Sequence, residues 1–203
     1  MNTCYIVGAG DFDCTFTPDK DDLIIAADGG YDALILHGIR PSLLVGDLDS
    51  LSSSAKDIEK IVFPKEKDET DTHLAYLEGV KRGFKKFKIY GGTGGRLDHT
   101  LANISLLLYA AERGHEMSLI DKQSSSIVIK NGKAHIKGDR GKQISVFAIG
   151  GEARGVNIEG LYYEAKDSIL SPSFALGVSN HFIEGKEARI SVSDGALLIM
   201  CER

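Results

Sequence analysis

The chain has 203 residues, 42% apolar and 26% charged, which describes an ordinary soluble globular protein with room for one large domain or two modest ones. Its 24 basic and 29 acidic side chains leave a formal charge of -5, and the absence of a long Lys/Arg run argues against a non-specific nucleic-acid surface. The start Met1-Asn2-Thr3-Cys4 lacks the pattern of a signal peptide, no 18-residue apolar stretch exists, and Cys4, Cys14 and Cys201 form no CxxC pair, so a cytoplasmic chain with reduced thiols and no membrane span is expected.

Tyr5-Ile6-Val7 reads as a strand entering the turn Gly8-Ala9-Gly10. A third glycine and a following helix are missing, so the dinucleotide fingerprint is weak, although the glycines still let backbone approach a phosphate. Leu23 to Ala27 is a second strand, ending in Asp28-Gly29-Gly30, and Tyr31 to His37 is a short helix stopped by Gly38. Leu43-Leu44-Val45 is a third strand, followed by Gly46-Asp47-Leu48-Asp49-Ser50. In extended backbone Asp47 and Asp49 face the same way, and two close carboxylates call for a proton or a cation between them. A hard divalent ion such as Mg²⁺ satisfies that demand, and a solvated turn is the bland alternative.

Ser52 to Lys56 opens a connection or short helix, and Ile61-Val62-Phe63-Pro64 is a brief β-like segment. The charged run Lys65 to Asp71 leads into a helix spaced by Leu74, Leu77 and Val80, with Thr70 as its cap and Asp71 in the first turn. Lys67 is positioned to meet a phosphate. Phe87 to Tyr90 is a strand running into Gly91-Gly92-Thr93-Gly94-Gly95, whose bare N–H groups suit phosphate oxygens, with Arg96 as a phosphate fork. Asp98 is expected to cap the next helix (Leu101, Ile104, Leu107, Leu108, Ala111), with His99 and Asn103 on one early surface.

Met117 to Asp121 closes the α/β pattern, and the polar stretch 121–126 marks a boundary. Beyond it, short β-like runs recur at 127–129, 133–136, 143–149, 155–161, 173–178, 181–184, 188–192 and 197–201, which indicates an all-β sandwich or barrel.

Asp28, Asp47, Asp49, Asp71 and Asp98 thus fall at strand ends or helix starts on the ligand side of one sheet. HExxH, a zinc spacing, a Walker-A loop, the kinase HRD and DFG pair and a GxSxG elbow are all absent. Phosphoryl or nucleotidyl transfer, or phosphate hydrolysis, with Mg²⁺ bridging phosphate oxygens is the leading class. Another Mg²⁺-dependent phosphate-ester enzyme and a non-catalytic nucleotide binder remain alternatives.

The ordered blocks Ala27-Asp28-Gly29-Gly30, Gly46 to Ser50, Lys67 to Asp71 and Gly91 to His99 closely resemble thiamine pyrophosphokinase. Gly155 to Leu161 and Gly177 to Asn180 resemble that family's β-domain. The resemblance implies a Rossmann-like parallel-sheet α/β domain over residues 1–123 that is catalytic and binds ATP and Mg²⁺. It implies an all-β sandwich domain over 124–203 that binds thiamine and makes a homodimer. The activity implied is transfer of the pyrophosphate of ATP to the hydroxyl of thiamine, giving thiamine diphosphate and AMP. Carried over by motif, Asp47, Asp49 and Asp71 would hold Mg²⁺, and either Asp71 or Asp98 would take the hydroxyl proton beside Arg96. Asp28, Gly29, Lys67, Asp68, Thr70, Gly92, Thr93, Gly94, Gly95, Arg96, His99 and Asn103 would surround the nucleotide. Tyr162, Ser179 and Asn180 would approach thiamine at the subunit interface.

Overall fold

Three apolar runs form the parallel strands β1 (Cys4–Val7), β2 (Leu23–Ala27) and β3 (Leu43–Gly46) in the computed structural model, which describes residues 2–12, 16–47 and 57–203. Every residue of the three strands is buried, which is why they read as continuous apolar runs instead of alternating ones. β4 (Glu59–Val62), β5 (Lys86–Tyr90) and β6 (Glu116–Ile120) join them in the parallel order β6-β5-β1-β2-β3-β4. Helix α1 (Gly30–Leu36) follows β2 and α2 (Asp71–Lys81) follows β4, while α3 (Leu97–Ala111) links β5 to β6. No helix among the described residues is long and apolar enough to cross a membrane.

The chain divides into two compact units, Met1–Leu106 with Gly114–Lys122, and Leu107–Arg113 with Gln123–Arg203. The second unit contains β7 (Ser124–Lys130), β8 (Lys133–Ile136), β9 (Gln143–Ala148), β10 (Ala153–Glu159), β11 (Ala165–Leu170), β12 (Asn180–His181), β13 (Ala188–Ser191) and β14 (Ala196–Glu202). They pair antiparallel in two sets, β12-β9-β14-β7 and β11-β10-β13-β8. Alternate residues point inward, and Ile144, Val146, Val156, Ile158, Ile190, Leu197 and Ile199 draw both sets into one apolar cluster. The chain is therefore mixed α/β with a separate antiparallel sheet.

Two β expectations fail in this unit. Residues 173–178 are not a strand; Phe174, Leu176 and Val178 are exposed there, and Val146 N–H donates to the Gly177 carbonyl at 2.9 Å. Of residues 181–184 only two pair, His181 as half of two-residue β12 and Phe182 in an isolated antiparallel bridge to Leu161. The strand missing from the expected runs is β11, which carries Lys166 and Asp167. It pairs with β10 through register shifts, with Asp167 at φ +45°. β11 is an edge strand of which only Leu170 is buried, so it shows no apolar alternation. Cys4 and Cys201 do lie in strands, as small apolar residues, and Cys14 lies outside the described residues.

Candidate active site

The strand order reverses between β1 and β5: β2, β3 and β4 extend to one side, and the chain returns through α2 to place β5 on the other. Ligands of open parallel sheets bind outside the carboxyl ends of strands at such a reversal. A cavity of about 410 Å³ lies there, lined by the turn after β1 (Gly8, Ala9, Gly10, Asp11), the loop after β5 (Gly91, Gly92, Gly94, Gly95, Arg96), and Thr72, His99 and Asn103.

Backbone bonds zip the two turns together. Gly8 N–H donates to the Tyr90 carbonyl, Gly10 N–H to that of Gly91 and Asp11 N–H to that of Thr93, each at 2.8 Å. Gly10 is required by this approach: a Cβ there would fall 2.7 Å from the Gly91 carbonyl oxygen and closer still to that of Thr93. Asn103, 5% exposed, donates through Nδ2 to the Gly92 carbonyl at 2.8 Å, tying α3 to the loop. One amide N–H is thus spent on the loop, and Asn103 helps to shape the cradle it lines.

The acids occupy the same edge of the sheet. Asp28 ends β2 at φ +45°, a left-handed conformation that Asp adopts more readily than most residues. Its N–H donates to the Val45 carbonyl at 2.9 Å, and its Cβ packs over Gly46, next to Asp47 at the end of β3. Thr70 caps α2 as expected, its Oγ1 accepting the His73 N–H at 3.2 Å, so Asp71 opens the first turn. Lys67 Nζ lies 2.6 Å from Asp71 Oδ1 and holds that carboxylate in place.

Asp98 differs from its expected role. The Thr100 N–H donates to the Arg96 carbonyl at 3.3 Å, which makes Arg96 the N-cap and Asp98 the second residue of α3. The Arg96 guanidinium grips the Asp98 carboxylate at 3.1 and 2.6 Å, and His99 N–H adds a bond at 3.0 Å. The Arg96 hydrogen bond is the main cause that holds the Asp98 carboxyl below the usual range; desolvation opposes it, and the His99 N–H and the charge of both neighbours add to the lowering, while the same pair raises Arg96.

In the second unit, Asn180 is buried and both its amide oxygen and its amide nitrogen bond to backbone. Its Oδ1 accepts the N–H groups of Tyr163 (3.0 Å) and His181 (2.9 Å), and its Nδ2 donates to the Tyr163 carbonyl at 2.7 Å. Ser179 sits at φ +59°, its N–H donating to Ser145 Oγ at 3.1 Å. Tyr162 stacks on His181 with centroids 4.6 Å apart and meets Tyr163 edge-on at 4.9 Å, both tyrosines being exposed.

Two family models divide the chain along its length: thiamin pyrophosphokinase, catalytic domain, matches residues 17–119, and thiamin pyrophosphokinase, vitamin B1 binding domain, matches residues 127–197. The thiamine pyrophosphokinase of Bacillus subtilis (strain 168) is 30% identical over 211 residues, covering 98% of each chain. The chain belongs to the thiamine pyrophosphokinase family. Solved thiamine pyrophosphokinases agree in fold. That from Bacillus subtilis has a TM-score of 0.86 at 27% identity, with 99% of each chain covered. That from Geobacillus thermodenitrificans has a TM-score of 0.86 at 26% identity, with 99% of this chain and 97% of that one covered. This chain is accordingly an enzyme, a diphosphotransferase acting on thiamine.

For a thiamine pyrophosphokinase the distribution of the expected residues is informative. Gly92, Gly94, Gly95, Arg96, His99 and Asn103 share the cavity, and Thr93 supports it through its carbonyl. Asp28, Gly29, Asp47, Lys67, Asp68, Thr70, Asp71 and Asp98 are not among its lining residues. Asp49 lies outside the described residues, as do Leu48, Ser50 and the 52–56 connection. Among the described residues no three His, Cys, Asp or Glu side chains converge as a metal group, and one of the three expected ligands is not in that set. The residues missed as lining are Asp11 and Thr72. Asp11 carries the same signal as Asp28 and Asp47, an acid directly after a strand-end turn; Thr72 has none beyond its place in the first turn of α2.

Proposed function

We propose that this thiamine pyrophosphokinase takes ATP as donor, with Mg²⁺, and passes its pyrophosphate to the hydroxyl of thiamine, releasing AMP. The observation that carries this reading is the glycine-walled cavity at the strand-order reversal. The backbone N–H groups of its glycine loop after β5 and the Arg96 fork suit a polyphosphate. The neighbouring donor set is made of carboxylate oxygens, which fits a hard cation. Asp47, Asp49 and Asp71 would hold Mg²⁺, with Asp28 beside them, and the ion would offset charge on the transferred group. Lys67 keeps Asp71 oriented, and Thr70 fixes the helix turn that carries it.

The reaction is in-line attack of the thiamine hydroxyl oxygen on the β-phosphorus, breaking the bond to the bridging oxygen that leaves with AMP. Arg96 exchanges one planar anionic partner for another when it turns from Asp98 to a phosphate. While Arg96 grips it, Asp98 is a weakened proton acceptor, because its carboxyl is held below the usual range.

We assign residues 1–123 to a Rossmann-like catalytic domain and 124–203 to a β-sandwich that binds thiamine and forms the homodimer. The exposed Tyr162 and Tyr163 rings offer π surface to a flat cationic heterocycle. The exposed Phe174, Leu176 and Val178 supply apolar area for a subunit interface. Free Cys4 and Cys201 support a reducing, cytoplasmic setting. The test is incubation with ATP, Mg²⁺ and thiamine, read by mass. Thiamine diphosphate and AMP in equal amounts are expected; ADP, or orthophosphate without an acceptor product, would overturn the assignment.

A further inference from the structure

Asp11 is the cavity residue that a polyphosphate site does not explain. It follows β1 in the turn Gly8-Ala9-Gly10-Asp11, and its N–H bond to the Thr93 carbonyl fixes its backbone against the glycine loop. Its carboxylate stands directly over Gly94: a Cβ on that glycine, at φ +80°, would come 2.5 Å from Oδ2 and 2.8 Å from Oδ1. An ionised carboxylate repels phosphate oxygens, so a group placed here serves something other than the tail. A carboxylate accepts hydrogen bonds and donates none. The part of a nucleotide that is rich in neutral donors and directly esterified to the phosphates is the ribose, whose vicinal hydroxyls match two carboxylate oxygens.

In doubly wound sheets an acid near the end of the second strand commonly takes that role. Here the acid at the end of β2 is Asp28, which packs over Gly46 and is not among the cavity-lining residues, whereas Asp11 is. We propose that Asp11 selects the donor by accepting hydrogen bonds from the ribose hydroxyls of ATP. This rests on the nucleotide reading of the cavity given above.

The test measures Mg-ATP and Mg-2′,3′-dideoxy-ATP binding by calorimetry, and thiamine diphosphate formation from each, for the wild type, Asp11→Ala and Asp11→Asn. Asp11 is exposed, and thermal unfolding of each variant reports whether the fold persists. The wild type is expected to prefer ATP over the dideoxy nucleotide by roughly tenfold or more, since a site built to pair a hydroxyl rejects the analogue lacking it. Asp11→Ala is expected to weaken ATP by that factor and leave the analogue unchanged, erasing the preference, while Asp11→Asn retains part of it. A general structural defect would weaken both nucleotides together. Equal binding of the two nucleotides by the wild type, or a preference that survives in Asp11→Ala, would overturn the role of Asp11 with the reaction intact. Ribose discrimination that depends on Asp11, without any thiamine diphosphate, would support the role and overturn the reaction.

Discussion

Asn180→Ala separates a side chain that holds a turn from one that reads a ligand. The wild-type amide makes three hydrogen bonds, two accepted from Tyr163 and His181 N–H and one donated to the Tyr163 carbonyl, from a residue only 5% exposed. At about 1 kcal/mol net for each bond, the deletion is worth about 3 kcal/mol. Water reaching the exposed Tyr163 offsets part of this, which leaves about 2–3 kcal/mol. Urea unfolding can be followed by tyrosine fluorescence, the chain having seven Tyr and no Trp. With a slope of about 1–3 kcal/mol/M, the midpoint is expected to fall by about 1 M. Asn180→Asp keeps the two accepted bonds and loses the donated one, so it is expected to fall between. The thiamine KM should rise in step with destabilisation, because the clamp sets the Tyr162–Tyr163 backbone. An Asn180→Ala protein of wild-type stability that had lost thiamine turnover would refute this, since the amide would then be contacting the substrate itself.

Asp47→Asn is expected to lower turnover by at least about tenfold with the fold intact by circular dichroism; normal turnover would remove Asp47 from the mechanism. Thr70→Ala removes the cap of α2 and is expected to cost about 1 kcal/mol, seen as a thermal midpoint lower by about 2–4 °C, with Thr70→Ser restoring it. Burial raises the Cys4 thiol from 9.0 to about 12 and Cys201 from 9.0 to about 11, so at pH 8 both are protonated in the folded chain. Iodoacetamide, followed by peptide mass mapping, should label them at least about a hundredfold more slowly than after unfolding. By the same linkage the stabilising contribution is full below pH 9 and is lost as pH rises through about 11 to 12.

Much of the first unit was legible because its strands are buried on both faces and end in turns that only a few residue types tolerate. Leu23 to Ala27 and Leu43 to Val45 admit no polar residue, and Asp28 with Gly29 and Gly30 punctuates the exit. Thr70 was readable as a cap from its neighbours alone. The cap of α3 lies two residues before Asp98 because Arg96, an uncommon N-cap type, starts the helix from the glycine loop. β11 was hidden because an edge strand with a bulge at Asp167 carries charge where alternation is sought, and 173–178 was misread because an exposed apolar stretch resembles a strand locally. The Gly10–Gly91 and Asp11–Thr93 bonds join segments about eighty residues apart in sequence, and no local pattern announces them.

That long-range zipper explains why two glycine stretches so distant in the chain belong to one device. A cradle of main-chain N–H groups loses no side-chain rotamer freedom when it takes an anion, but it works only if the backbone is already in place. The bonds from Gly8, Gly10 and Asp11 supply that rigidity from the protein side, and the Asn103 amide supplies it from α3. The carboxylates follow a different logic. Asp71 is oriented by the Lys67 ammonium and the Thr70 cap, and Asp28 by packing over Gly46, so their positions depend on side-chain contacts with neighbouring elements. One edge of the sheet therefore combines a main-chain cradle between β1 and β5 with a set of side-chain oxygens after β2, β3 and β4. Losses in the first are expected to fall on nucleotide binding and losses in the second on turnover, which is the division of labour that metal-assisted diphosphoryl transfer asks of a parallel sheet.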